Sequence, residues 1–306
     1  MPTENKEQSE LIELYFANDL VNFRKLIKSG ANVNCLSNNG FSLISTVIAS
    51  SSIRDNNNKK FFDELLLAGV SLTTIGIEEG LLSTAFYFHA PCYYIEKLLE
   101  RGVDINEFGV KRGLYDDVDE YYVKKYGPPI FEAMDLHDPK KTKLLLSYNP
   151  DLELCNHENV PIINYLLDLH FLYKINEDKM KENLMLLIDA GADPNQKDSM
   201  GNQSIHKLSR FCKFSSKHPN IIQRILHKKR DKTLIYKELF DVLIQENTDI
   251  DSRNFEGHTA LMIALKEGNL IAAEILIEKG ANIALCDKQE QVTASKLMYR
   301  IDNRGR

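Results

Sequence analysis

The chain has 306 residues, with a formal net charge of −6 at pH 7, 43% apolar residues and 27% charged residues. A chain of this length exceeds what one hydrophobic core usually serves, so we expect either two domains or a solenoid. The negative charge gives no general reason to expect a nucleic acid or an acidic membrane as partner, and no stretch approaches the roughly 18 apolar residues that a membrane-spanning helix needs.

Seven apolar segments of similar length recur along the chain, and each is followed at the same place by glycine or asparagine. These two residues tolerate the left-handed backbone conformation that closes a helix C-terminus. The pattern therefore predicts seven helices, each ended by a left-handed residue. In chain order these closing residues are Gly30, Gly69, Gly102, Asn149, Gly191, Asn247 and Gly280.

A second apolar segment precedes each of these helices, as GHTALMIALKEGN precedes AAEILIEKGANI near the end of the chain. The interval from Thr259 to Gly280 is 21 residues, and three other copies are aligned with the same interval. In the remaining copies the interval is longer, which indicates insertions between the two helices, where extra length costs little stability. The aligned copies start at Ser9, Ser42, Leu81, Pro128, Val160, Gln203 and Thr259.

A helix, a turn, a second helix and then Gly-Ala-Asn/Asp-x-Asn with a long loop resembles the ankyrin repeat, whose period is about 33 residues. The match is specific in the last copy, and Ile205 with His206 approximates the Leu-His of the family's Thr-Pro-Leu-His motif. The resemblance implies an all-α solenoid of about seven degenerate helix-turn-helix repeats with long loops and insertions, while an unrelated helical bundle or a HEAT-like array stays open. We expect a single domain over 1–306, with repeats at 9–40, 41–79, 80–126, 127–158, 159–200, 201–256 and 257–288 and a terminal capping helix at 289–302.

The resemblance also implies a binding function, because ankyrin families use a concave face of first-helix surfaces and loop tips to hold other proteins. Counting from Thr259, we expect the fifth, eighth and ninth residues of each first helix on this face. The face would be acidic in its middle and basic toward its C-terminal end, which orients a partner with complementary charges. The alternative is an ordinary solvated surface, with Phe88 and Phe211 as binding anchors if they are exposed and as core residues if they are not. The candidate contact residues are Phe88, His89, Glu132, Asp135, Asn164, Asp168, Lys207, Arg210, Phe211 and Lys266.

Two insertions depart from the plain repeat. The loop 107–127 is acidic and rich in tyrosine, which offers rigid amphipathic contact area, so we expect either a recognition element or a merely mobile insertion. The insert 213–237 contains HKKRDK, a run that fits contact with phosphates, an import signal or a solvated helix edge. The candidate contact residues in the loop 107–127 are Tyr115, Asp116, Asp117, Tyr121 and Tyr122.

The five cysteines (Cys35, Cys92, Cys155, Cys212 and Cys286) are odd in number and widely spaced, which argues against a disulfide framework and favours a reducing setting. A nucleophilic cysteine needs a base within hydrogen-bond reach and a third group to orient that base. Histidines lie near Cys212 in the sequence, but no recognisable motif assembles such a trio, and no Cys-x-x-Cys pair offers a zinc site. We therefore expect no catalytic, cofactor or metal site.

The sequence favours a non-catalytic module that binds a partner protein through the concave face and the finger loops, that is, the loops between successive repeats. A divergent ankyrin chain rich in Lys and Asn resembles those of intracellular bacteria, so one hypothesis is a secreted effector that acts on a host protein. The alternatives are a cytosolic adaptor or inhibitor within its own cell, and a cysteine-dependent enzyme whose site is formed by the insertions. The N-terminal stretch lacks a secretory signal pattern. We expect a cytoplasmic monomer, in the host cytosol if it is an effector, that neither inserts into a membrane nor binds nucleic acid.

Overall fold

A computed structural model shows a chain of helix pairs with one β-hairpin among the described residues. The chain divides into two compact units, unit 1 (Met1–Asp151) and unit 2 (Leu152–Arg306). No described helix is long and apolar enough to cross a membrane. The structure describes residues 10–37, 40–53, 56–73, 80–114, 121–125, 127–173, 177–210, 234, 236–286, 291–296 and 299.

Unit 1 contains four consecutive helix pairs in its described residues, with a hairpin between the third pair and the fourth. Its elements are α1 (10–16), α2 (Leu20–Lys28), α3 (Leu43–Ala49), α4 (Asn56–Leu67), α5 (Leu81–Tyr87), α6 (Cys92–Glu100), β1 (Val110–Leu114), β2 (Tyr121–Lys125), α7 (Pro129–Asp135) and α8 (Pro139–Leu146). First helices pack on first helices, as α5 does on α3 and α7, and second helices pack on second helices, as α4 does on α2. Each pair therefore buries its apolar surface against its neighbours, as in a repeat protein.

Local capping sets where these helices begin and end. The side chains of Asp19, Ser42 and Asp138 accept hydrogen bonds from backbone amides in the first turns of α2, α3 and α8. These residue types are preferred there because the first amides of a helix have no partner inside it. The second helices then end at the predicted left-handed residues, namely Gly30, Gly69, Gly102 and Asn149.

The core of unit 1 is built around Phe61 of α4. Its ring meets the rings of Tyr15 and Phe23 edge-on, at centroid distances of 5.3 and 4.8 Å. Beside this cluster, the buried amide of Asn58 accepts a hydrogen bond from the Tyr15 hydroxyl at 2.7 Å and lies 3.1 Å from the Tyr94 hydroxyl. Aromatic packing and one shared amide therefore connect helices of three consecutive pairs.

Unit 2 continues the same pattern. Its elements are α9 (Ile162–Tyr173), α10 (Glu177–Asp189), α11 (Ser204–Arg210), α12 (236–243), α13 (Ala260–Lys266), α14 (Leu270–Glu278), a 3₁₀ turn (Ile283–Leu285) and α15 (291–296). Helix α11 packs on α9 and α13, and α13 packs on α14. The hydroxyl of Thr259 caps α13 by accepting from the amide of Met262 at 3.3 Å.

The all-α repeat fold predicted from the sequence is confirmed, with one addition. The loop 107–127 contains an antiparallel hairpin in which Val110 pairs with Lys125 and Leu114 pairs with Tyr121. The sequence did not predict this hairpin, because tyrosines and charges in an insertion give no clear two-residue alternation. Most of the insert 213–237 lies outside the described residues, and 291–296 is helical within the predicted capping helix 289–302.

Left-handed closing residues are confirmed at the five predicted glycines and at Asn149. The prediction is wrong at Asn247, whose φ is not positive. There the Thr248 hydroxyl accepts a hydrogen bond from the amide of Gln245 at 3.0 Å and lies 3.4 Å from the carbonyl oxygen of Leu243. Because a side chain satisfies this helix end, no left-handed residue is needed.

Candidate protein-binding surface

The observed helix starts move the predicted face by one residue in two repeats. Helix α5 begins after Gly80, although the aligned copy starts at Leu81, and α9 begins after Pro161, although the aligned copy starts at Val160. In the third pair two residues, His89 and Ala90, separate the end of the first helix from the cap of the second, where the last pair has one, Gly268. The added residue lengthens the interval and shifts the register.

With the corrected register, the predicted face carries two aromatic side chains at the end of α5. Tyr87 and Phe88 are 50% and 39% exposed, and their rings pack edge-to-face with centroids 4.8 Å apart. The sequence predicted Phe88 on this surface but missed Tyr87, which falls on the eighth position only after the one-residue shift. His89 is also exposed, and its φ of 55° makes it the turn residue between α5 and α6.

The acidic residues predicted beside this pair lie on α7, the next first helix. Glu132 and Asp135 are both half-buried, and the hydroxyl of Ser83 donates a hydrogen bond to Glu132 Oε1 at 2.5 Å. A Cβ added at Gly109 would lie 2.7 Å from the same carboxylate oxygen, so this glycine allows the backbone to pass close to it. Glu132 is thus held in place by its own unit, while its partial exposure leaves it at the surface.

In unit 2 the predicted residues Asp168 and Lys207 bind each other. The Lys207 ammonium lies 2.7 Å from Asp168 Oδ2 and 3.1 Å from Asp198 Oδ2, and the side chains of Lys207 and Asp198 are only 12% and 4% exposed. Burial raises the pKa of Asp168, against the opposing effect of Lys207. Burial alone would also raise the pKa of Asp198, but hydrogen bonds from the Asn202 amide and from Lys207 hold that pKa below its ordinary value. The Lys207 ammonium is therefore paired with two carboxylates of its own unit. The basic character predicted for the C-terminal end of the face depends on Arg210 and Lys266.

The remaining predicted residues fall in different places. Asn164 was expected at the surface, but it is buried and donates to the carbonyl oxygen of Asn202 at 2.8 Å, because its position turns inward once the start of α9 is corrected. Lys266 is exposed and Arg210 is half-buried. Four predicted residues lie outside the described residues, namely Phe211, Tyr115, Asp116 and Asp117. The structure describes the backbone of Tyr121 and Tyr122 in β2 but not their side chains.

His206, which approximates the His of a Thr-Pro-Leu-His motif, is a structural residue in unit 2. The amide of Gln203 donates to its Nδ1 at 3.2 Å, so its Nε2 carries the proton and donates to the carbonyl oxygen of Ser252 at 3.0 Å. Burial lowers the pKa of His206. The imidazole therefore connects the start of α11 to the loop that leads into α13, and it does so in its neutral form.

Acid is expected to weaken unit 2 through His206. The folded state disfavours protonation of His206. Its stabilising contribution to the free energy of unfolding is therefore complete above the ordinary pKa of 6.5 and is lost as pH falls through the lower folded pKa. The free energy of unfolding should fall by up to about 1.4 kcal/mol per pH unit in that window. Urea denaturation at a series of pH values would measure it, and the slope should be smaller in His206→Gln but unchanged in the control His157→Gln. Equal slopes in wild type and His206→Gln would contradict this prediction.

The cysteine alternative gains no geometric support from the described residues. Among the described residues, no disulfide joins Cys35, Cys92, Cys155 or Cys286. Burial raises the pKa of Cys35 to about 11 and also raises the pKa of Cys155. A raised pKa disfavours the thiolate that a nucleophile requires. Cys212 lies outside the described residues. Within the part of the chain that the structure describes, no group of His, Cys, Asp and Glu is arranged to hold a metal ion.

Helix pairs closed by left-handed residues and packed first helix on first helix define a helical-repeat protein. Residues 256–288 match the family model of the ankyrin repeat. The chain is 29% identical over 124 residues to the B-cell lymphoma 3 protein homolog of Mus musculus, covering 40% of this chain and 23% of that relative. It is 31% identical over 70 residues to the probable palmitoyltransferase AKR2 of Saccharomyces uvarum, covering 23% of this chain and 10% of that relative.

Residues 256–288 thus form an ankyrin repeat, and the chain is similar to ankyrin-repeat proteins. It spans 23% and 10% of the length of the two curated relatives, so the activities named for those proteins do not carry over to it. Ankyrin repeats generally mediate protein–protein interaction, and a fold alone does not identify the partner.

Proposed function

We propose that the chain is a non-catalytic module that binds a partner protein, and that Tyr87 and Phe88 at the end of α5 anchor it. The exposed aromatic pair is the observation that carries the proposal. Binding energy concentrates in a few residues, often aromatic ones, that fill a pocket of the partner and lose their water. Two rings packed edge-to-face supply such contact area, and their contact already restricts the rotamers of both side chains.

The charges beside the aromatic pair indicate the sign of the charge that a partner would carry. Glu132 and Asp135 lie on α7, which packs directly against α5. A partner that places an apolar side chain against Tyr87 and Phe88 and a basic group near α7 would be complementary in shape and charge. Both carboxylates make contacts within the chain, so the contribution of such a basic group would be to steer and orient more than to add affinity.

Phe88→Ala is expected to weaken partner binding by about 2 kcal/mol or more, which is roughly thirtyfold in Kd, because it removes half of the aromatic pair. Affinity capture followed by mass spectrometry would first identify the partner, and calorimetry would then give the Kd for wild type and variant. The matched control is Leu67→Ala, an apolar side chain on α4 that is 75% exposed and belongs to a second helix. Equal loss in both variants, or none in Phe88→Ala, would contradict the proposal.

For the biological setting, we propose a host-cell protein as partner and the host cytosol as the place of action. The support is the resemblance of this divergent, Lys- and Asn-rich repeat chain to ankyrin proteins of intracellular bacteria. A capture experiment run side by side on eukaryotic and bacterial lysates separates the settings. A partner retained only from the bacterial lysate would replace this proposal with an adaptor or inhibitor acting within its own cell.

A further inference from the structure

Two exposed apolar residues lie on neighbouring loops in unit 2, joined by a backbone hydrogen bond. Met200 and Phe255 are 46% and 75% exposed, and the Phe255 amide donates to the Met200 carbonyl oxygen at 3.0 Å. The Phe255 ring lies over Gly201, where an added Cβ would come within 2.7 Å of the ring. We call Met200 and Phe255, together with the flanking cations Lys197 and Arg253, the fingertip patch.

Both loops are held rigidly by side chains beneath the patch. Asp198 Oδ1 accepts from the amides of Met200 and Asn202 at 2.9 and 2.8 Å. Asn254 Oδ1 plays the same part in its own loop, accepting from two amides at 3.1 and 2.9 Å, and its Nδ2 donates to Asn202 Oδ1 at 2.9 Å. A patch that is ordered in this way loses little conformational entropy when it binds.

The charges around the patch are unequal in sign. Lys197 and Arg253 are exposed, and each donates a hydrogen bond to a backbone carbonyl oxygen of the second loop. The Lys197 ammonium donates to the carbonyl oxygen of Arg253 at 3.4 Å. The Arg253 guanidinium donates to the carbonyl oxygen of Gly257 at 2.6 Å. Of the nearby carboxylates, Asp198 is buried against Lys207, Asp251 accepts from the amide of Asn282 at 2.8 Å, and Glu256 lies 3.2 Å from the ring of His258. Two exposed cations therefore flank the apolar pair in the sequence, and each of these three carboxylates already has a partner within the chain.

We infer that the fingertip patch binds an acidic peptide segment of a partner protein that places one large apolar side chain against Met200 and Phe255. The inference rests on the proposed binding function and adds a second contact site with the opposite charge preference to the one on α5. The apolar pair gives the contact area, and the cations select carboxylates beside it. A single-stranded nucleic acid is disfavoured because the chain carries a net charge of −6 and the patch offers one ring, that of Phe255, on which a base could stack.

Selection from a displayed library of random short peptides on the full chain tests the inference. The enriched peptides should combine Asp or Glu with a large apolar residue. Their binding should fall about tenfold or more in Phe255→Ser. The double charge reversal Lys197→Glu with Arg253→Glu should abolish the preference for acidic peptides, and each variant should keep the wild-type circular dichroism spectrum. Enrichment of neutral or basic peptides, or binding that Phe255→Ser leaves intact, would overturn the inference.

Further experiments distinguish the fingertip patch from the proposed site on α5, and an acidic peptide from other ligands of the patch. Phe88→Ala should leave the selected peptides bound, so loss in Phe88→Ala together with retention in Phe255→Ser would overturn the fingertip site and support the α5 site. Light scattering that shows a wild-type dimer and a monomeric Phe255→Ser variant would assign the patch to a second copy of the chain. Displacement of the peptides by a mixed-sequence single-stranded oligonucleotide, with no effect of an uncharged competitor, would assign it to nucleic acid. Either result overturns the inference.

Discussion

Phe61→Ala is expected to lower the free energy of unfolding of unit 1 by about 3–5 kcal/mol, as for other fully buried phenylalanines. Phe61 has no exposed surface, and its ring touches the rings of Tyr15 and Phe23. The substitution removes the apolar contact area, breaks two edge-on ring contacts and leaves a cavity that packed helices fill only in part. Chemical denaturation followed by circular dichroism would measure the loss.

The neighbouring Leu67 supplies a matched control for this prediction. It lies on the same helix as Phe61 but is 75% exposed, so Leu67→Ala is expected to change stability by no more than about 0.5 kcal/mol. If both variants lost the same stability, the helix itself and not the aromatic cluster would be the source. A loss under about 1 kcal/mol in Phe61→Ala would show that the site collapses around the smaller side chain.

Lys207→Met is expected to destabilise unit 2 by about 3 kcal/mol, because it leaves the charge of Asp198 buried without its cation. The carboxylate of Asp198 keeps the amides of Met200 and Asn202, which places the expected loss at the lower end of the range for a broken buried pair. Methionine fills most of the space of the lysine stem, so the loss reports on charge more than on packing. Urea denaturation at neutral pH gives the value.

A double-mutant cycle with Asp198→Asn tests the cause of that loss. Asparagine still accepts from both backbone amides but carries no charge, so the double variant is expected to be closer to wild type than Lys207→Met alone. The pH dependence gives a second check. The lowered pKa of Asp198 stabilises the fold above its ordinary value of 3.8 and loses this effect as pH falls through the folded pKa, so the Lys207→Met deficit should shrink in acid.

The same variant separates two roles for Lys207. The sequence predicted it as a contact for a partner, whereas the structure places it between two carboxylates of its own unit. If Lys207→Met unfolds like wild type but loses partner binding, the predicted role is correct and the ion pairs are of little weight. A loss of stability with unchanged affinity at permissive conditions would make it a structural residue.

The sequence by itself determined the class of the protein, because the signals that define an ankyrin repeat are local. A left-handed residue after a helix favours Gly or Asn at that one position, and Asn149 with φ 52° shows that the inference holds even without glycine. Capping residues and the apolar run of each helix are equally local, so the order of helix pairs followed from the chain. Phe88 was found in the same way, as an aromatic residue near a predicted helix end.

Only the tertiary structure decided which side chains reach the surface. One extra residue between α5 and α6 moved the register by one, which brought Tyr87 to the face, and the true start of α9 turned Asn164 inward. The pairing of Lys207 with Asp168, 39 positions earlier, and the backbone hydrogen bond from Phe255 to Met200 depend on how successive pairs stack. A one-residue slip leaves the composition and apolar character of a helix unchanged while it rotates every side chain by about 100°, so local pattern specifies the helix but packing against neighbours specifies its exposed face.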